Sequence, residues 1–228
     1  MIADYDVTNS ASDKNALSTM AKGAKDALAV ESLEVAADKG FHNSLEIEEC
    51  VDNGITPFVP EPSPPNPKKK LGVPAPEFYE NKFAYDATKD VYTCPAGNGM
   101  TFWRMGQNNS GKKMMLYRTT KCNGCPFRSR CTNNKRGRII YRWVHEEILD
   151  EMRARLRTEQ GMAKVILRGQ IVEHPFGTMK RAFNQGYLLL KGLRKVMGEI
   201  GLTMLAYNLR RAINILGTKR LIRSITMP

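Results

Sequence analysis

Apolar positions change their period several times along the chain. After a turn cluster at residues 9–13, Ala16, Leu17, Met20, Ala21, Ala24, Ala27 and Leu28 recur at helical spacing and predict a helix. Residues 33–37 read as a short strand. Asn43 followed by Glu46 resembles a capping box opening a helix to about Asp52, and Gly54 closes it ahead of a strand at 55–59. Residues 1–8 read as a strand as well. The order strand, helix, strand, helix, strand is that of a parallel α/β sheet. Tyrosine-rich strand candidates follow at 83–85, 91–93 and 114–118. From Trp143 the spacing is helical again, through Val144, Ile148, Leu149, Met152 and Leu156, and it resumes from Ala163 toward Glu173. The stripe Leu202, Leu205, Leu209, Ala212, Ile213 and Leu216 predicts a last helix that packs this face into the core. Arg210-Arg211 then lie outside, and Lys219, Arg220 and Arg223 form a basic tail.

Five prolines in the eight residues from Pro60 to Pro67 form neither helix nor central strand, so this stretch is an extended connector. Lys68-Lys69-Lys70 after it reads as a solvated run that can also meet a nucleic-acid backbone.

Charge sharpens the picture. The chain has 35 Lys and Arg against 23 Asp and Glu, a formal net charge of +12, which favours an acidic partner such as nucleic acid. Residues 1–60 hold four basic and eleven acidic side chains, so the excess lies wholly beyond them. Val91 to His145 holds eleven basic residues and no acid. A hydrophobic run of about eighteen residues, as a membrane span needs, is absent. The start carries acid where a signal peptide carries base, which points to a cytoplasmic protein.

Two sets of residues carry candidate chemistry. Cys94, Cys122, Cys125 and Cys131 are spaced C-x27-C-x2-C-x5-C. Four thiolates can close a tetrahedral Zn²⁺ site that compensates for a small core; reduced thiols or an iron–sulfur cluster are the alternatives. Cys50 stands apart as a small buried hydrophobe. The other set is acidic. Glu173 and Glu199 are the only acids between Lys164 and Arg223, among twelve basic residues. An isolated carboxylate there is either a solvated ion-pair partner or a holder of a divalent cation beside a polyanion. Lys180 lies about two helical turns after Glu173, close enough in angle to share a helix face, although Pro175 and Gly177 predict a kink or helix end between them. Asp38 falls just past the strand at 33–37, where reactive groups gather in parallel sheets; its ordinary role is a turn or cap. His42, His145, His174, Trp103 and Trp143 read as surface or core residues.

Several motifs together resemble the DDE transposases of bacterial insertion sequences, whose catalytic domain is ribonuclease-H-like. They are Val7-Thr8-Asn9, Val35-Ala36-Ala37-Asp38-Lys39-Gly40-Phe41, Gly54-Ile55-Thr56-Pro57-Phe58-Val59-Pro60, Cys94-Pro95-Ala96-Gly97, Cys122-Asn123-Gly124-Cys125-Pro126, Val172-Glu173-His174-Pro175-Phe176-Gly177-Thr178-Met179-Lys180 and Leu205-Ala206-Tyr207-Asn208-Leu209. The resemblance implies an α/β fold, a ribonuclease-H-like mixed sheet with flanking helices interrupted by a small cysteine-containing insertion. The expected organisation is residues 1–60 as the first part of that domain, 61–74 as linker, 75–143 as the four-cysteine insertion unit and 144–228 as the helical remainder. Asp38 and Glu173 are then the second and third catalytic acids and hold Mg²⁺ or Mn²⁺ for phosphoryl transfer on transposon-end DNA. Lys180, Arg181 and Arg168 are the expected DNA contacts, and a homo-oligomer is a candidate assembly. Ile166 and Gly169 stand where the family has a tyrosine and an arginine. The family's first aspartate falls upstream of Val7, so the expectation is an N-terminally truncated transposase. The alternative is a zinc-stabilised, basic DNA-binding module without catalysis.

Overall fold

In a computed structural model, which describes residues 1–63, 74–109 and 111–226, the alanine-rich stripe forms helix α1, Leu17–Leu28. Strand β1, Leu33–Ala36, helix α2, Ser44–Asp52, and strand β2, Ile55–Phe58, follow in the expected order. The two strands pair in parallel, Leu33 beside Ile55 and Ala36 beside Phe58. Leu17 and Ala21 of α1, Ile47 and Cys50 of α2, and Ile55, Phe58 and Val59 are buried and form the core of this part. The capping box is only half made. Asn43 caps α2 by accepting the Leu45 N–H, but Glu46 reaches across to α1, where Ser18 donates to it from both its N–H and its hydroxyl. A buried serine in need of acceptors outcompetes the local cap.

Residues 1–8, expected as a strand, have no regular secondary structure. Their backbone is met by a side chain instead. The Ile2 N–H donates to Asn208 Oδ1, and Asn208 Nδ2 donates to the Ile2 carbonyl, both at 2.7 Å. One carboxamide, with a donor and an acceptor side by side, replaces a partner strand. Lys68-Lys69-Lys70 and most of the connector lie outside the described residues.

The chain divides into two units, Met1–Pro62 with Ile148–Pro228, and Ser63–Glu147. The second is a five-stranded antiparallel meander: β3 (Ala84–Asp86), β4 (Val91–Thr93), β5 (Gly99–Gln107), β6 (Lys113–Arg118) and β7 (Ile139–Trp143). Phe83, Tyr92, Met100, Tyr117 and Ile140 form its core, with Cys94 and Cys131 packed against it. Asp90, in the left-handed region at φ 51°, accepts from both the Tyr117 and Tyr85 hydroxyls at 2.5 and 2.8 Å. Burial, reinforced by this carboxylate, holds the Tyr117 hydroxyl well above the usual phenol range. A short helix, α3 (Arg128–Cys131), lies between β6 and β7.

Helix α4, Glu146–Leu156, leads into α5, Glu159–Arg181. The turn between them is tight, since a Cβ on Gly161 would lie 2.1 Å from the Arg155 carbonyl oxygen. Helix α5 continues through Pro175, so the helix does not end there, one of the two outcomes expected at that point. Proline's φ is already helical, so the ring removes one hydrogen bond without forcing an end. Gly161, Val165, Arg168, Val172, Pro175 and Met179 lie on its less exposed stripe.

Helix α6, Leu193–Leu216, departs from expectation. Leu202, Leu205 and Leu209 are 71%, 64% and 50% exposed, while Val196 and Tyr207 on the opposite face are buried. Both faces are apolar enough to pack, and the one carrying Tyr207 meets α5. The expected basic tail is itself helical, α7, Thr218–Thr226.

Two outcomes follow. Gly161→Ala lowers stability by about 1–3 kcal/mol, the usual effect of forcing a methyl against packed backbone, measured by denaturant unfolding. Burial, aided by Glu46 and Glu49, pushes the Cys50 thiol up to about 11 from 9.0. A folded-state pKa above the unfolded one gives stability that is whole below the unfolded value and lost as pH rises through the folded one. Melting temperature therefore falls as pH climbs from about 9 to about 11, and Cys50→Ala shows a shallower fall over that window.

Candidate active site

Asp38 follows β1 by two residues. The Ala37 N–H still donates to the Phe58 carbonyl, so the pairing of β1 with β2 ends immediately before it. The Asp38 backbone is extended and its Oδ1 accepts the Gly40 N–H at 2.7 Å, capping the single turn Lys39–Phe41. The ordinary capping role is thus real. Its second oxygen, Oδ2, accepts from Arg168 on α5 at 3.1 Å. The carboxylate is 47% exposed and the arginine side chain 24%. One turn earlier on α5, Lys164 pairs with Glu34 of β1 and sets its ammonium 4.6 Å from the centre of the Phe58 ring. Two cations at i and i+4 therefore tie α5 to the parallel strands and to the residue just beyond them.

Glu173 stands five residues after Arg168 on the same helix, about 7.5 Å along the axis and about 140° around it. It is exposed, on a flank of α5 away from the stripe that contains Arg168. Helix α5 thus meets Asp38 directly through Arg168, and Glu173 faces a different direction. Lys180 shares the exposed side of α5 with Glu173, and Arg181 closes its last turn, where cations suit the helix dipole. Arg168, expected as a DNA contact, is engaged by Asp38 in this structure.

His174, unremarkable in the sequence, has a specific partner. Its Nδ1 lies 3.1 Å from the Tyr207 hydroxyl of α6, and the rings meet edge-on with centroids 6.2 Å apart. Tyr207 is 4% exposed. The pair fixes the turn of α5 beside Glu173 against α6. The signal was present in the sequence, because both residues belong to the quoted motifs, but contact across helices is not encoded by spacing.

In the second unit, Cys94, Cys122, Cys125 and Cys131 line one cavity of about 20 Å³, with Arg128 and Arg138 also in its wall. Burial raises the Cys131 thiol, while the Arg138 guanidinium opposes that shift. All four are free thiols. Among the described residues, no group of three or more His, Cys, Asp or Glu side chains is already arranged to hold a metal ion. The described helices include none long and apolar enough to cross a membrane.

A double-mutant cycle on His174→Ala and Tyr207→Phe is expected to give a coupling of about 1 kcal/mol, the worth of one neutral hydrogen bond. Additive effects in denaturant unfolding would remove the link between α5 and α6.

A family model described as Transposase DDE domain matches residues 93–213. The match takes in the four cysteines, Arg168, Glu173, Lys180 and Arg181, and does not extend to Asp38. No curated protein and no solved structure matches the chain. With more than half of its 228 residues inside the match, the chain belongs to the transposase DDE-domain family.

Proposed function

We propose that this chain is a DNA transposase that performs metal-dependent phosphoryl transfer, with Asp38 and Glu173 as two of its carboxylates. The scaffold on this reading is ribonuclease-H-like, with the cysteine unit inserted between the two acids. One observation carries it: α5 lies against β1 and β2, delivers Arg168 to Asp38 at the carboxyl end of β1, and continues into the turn bearing Glu173. Carboxyl ends of parallel strands are where α/β sheets gather their ligands.

Mg²⁺ and Mn²⁺ prefer hard oxygen donors, and both acids supply them from exposed or half-exposed positions. Of the two divalent cations such a site would hold, one would lower the pKa of the attacking hydroxyl and the other would stabilise the departing oxygen. Asp38 would hold such an ion through Oδ2, the oxygen that now accepts from Arg168, while Oδ1 keeps the Gly40 N–H. Arg168, beside that carboxylate, would then be free to offer its planar fork to a DNA phosphate. Lys180, about two turns past Glu173 on the same side of α5, meets the backbone as a point charge, and Arg181 adds a second contact. Contacts of this kind make DNA affinity fall steeply with salt.

A second reading, a zinc-stabilised DNA-binding module without catalysis, is favoured by the structural employment of both Asp38 oxygens. Plasmid nicking in Mg²⁺ or Mn²⁺ separates the two. On the transposase reading the wild-type chain nicks, and Glu173→Gln and Asp38→Asn each reduce the rate at least about 10–100-fold, a loss that follows even when a metal site loses only supporting groups. DNA affinity of both variants stays near wild type. Equal rates in wild type and variants, with DNA binding intact, would establish the module instead.

A further inference from the structure

We propose that Cys94, Cys122, Cys125 and Cys131 are the four ligands of a single thiophilic metal ion, Zn²⁺, that cross-links the loops at one end of the five-stranded sheet. The site lies wholly within the second unit and stands or falls independently of the catalytic reading.

Cys94 and the sequence cluster Cys122, Cys125 and Cys131 arrive at one cavity. Cys94 follows β4, Cys122 sits in the turn Thr120–Gly124, Cys125 caps that turn, and Cys131 ends α3. The cavity, about 20 Å³, holds one water-sized particle and no more. That suits a lone ion.

The surrounding backbone is shaped for sulfur. The turn after Cys94 is closed by the Gly97 N–H on the Cys94 carbonyl at 2.8 Å, with Gly97 at φ 78°. This turn aims the Asn98 N–H at Cys94 Sγ, 3.4 Å away, and a donor directed at sulfur favours the thiolate. Gly137 has φ 84°, and a Cβ there would lie 2.7 Å from Cys122 Cβ and 3.1 Å from its Sγ. The chain therefore closes over Cys122 so tightly that only glycine fits.

Charge agrees with the donor set. Four thiolates around a dication leave two negative charges, and Arg128 and Arg138 both line the cavity. Arg128 is already bonded to the Lys135 carbonyl and to Asn123 Oδ1. Arg138 Nε is buried and has no hydrogen-bond partner among the described residues. A buried donor of this kind needs an acceptor, and a metal-bound sulfur beside it provides one.

The thiols do not stand as a finished ligand set. On this proposal the four short side chains would rotate around the cavity to complete it, so that binding the ion and locking the loops would be one event. The unit has reason to use such a link, since its main core consists of five side chains.

The test uses the full chain, purified with a thiol reductant, with metal content measured by mass spectrometry. One zinc per chain is expected, falling to near zero in Cys125→Ser and Cys131→Ser. Because those variants can fail to fold, a second measurement uses wild type. A chelator should lower the melting temperature reversibly, with Zn²⁺ restoring it, and Co²⁺ added in place of zinc should give the intense thiolate-to-metal absorption of a tetrahedral sulfur site. Substoichiometric zinc with a melting curve indifferent to chelator would overturn the proposal. So would iron with sulfide-type visible bands, or rapid alkylation of all four thiols in the protein as isolated.

Discussion

Helix α5 is the element on which the arrangement of the candidate active site depends, and it is held by charge as much as by apolar contact. Lys164 and Arg168, one turn apart, meet Glu34 and Asp38, which stand in β1 and just beyond it. Exposed ion pairs contribute little each, about 0–1 kcal/mol. Their value here is positional, because together they fix both the rotation and the axial register of α5 against β1. Rotating the helix by one residue would break both pairs. The place of Glu173, five residues farther on, follows from that register.

Arg168 links architecture to chemistry. It occupies the second oxygen of a carboxylate that the transposase reading assigns to a metal ion, and it does so with a cation of fixed charge. The guanidinium compensates the acid in this structure.

Much of the fold was legible from local pattern. Apolar period and punctuation located α1, β1, α2 and β2 to within a residue or two, because each is short and has a Gly, Asn or Asp at or near one end. Strands β3, β4 and β6 were visible through tyrosine, while β5 and β7 were not. Strand β5 carries Gly99, Arg104 and Gly106 and a register break between Phe102 and Arg104, which spoils the two-residue alternation. The α6 stripe shows the opposite failure, in which a clean period did not reveal which of two apolar faces would be covered. Glu46 and Asn208 illustrate a third limit. Their partners, Ser18 and Ile2, are set by tertiary proximity, and no rule of spacing connects them. In the candidate site, Asp38 was placed by its position after a strand, but its pairing with Arg168 required the three-dimensional course of α5.

Pro175 adds a mechanical property to the same helix. Lacking an N–H, it leaves the Ile171 carbonyl without its rung four residues on. Glu173 sits midway between these two residues, so the weakest point in the helical ladder coincides with the acid. The His174–Tyr207 contact lies on the same turn and holds it against α6. Beyond the missing rung, Met179 is buried while Lys180 and Arg181 close the last turn, so the same stretch keeps one covered side and one basic side.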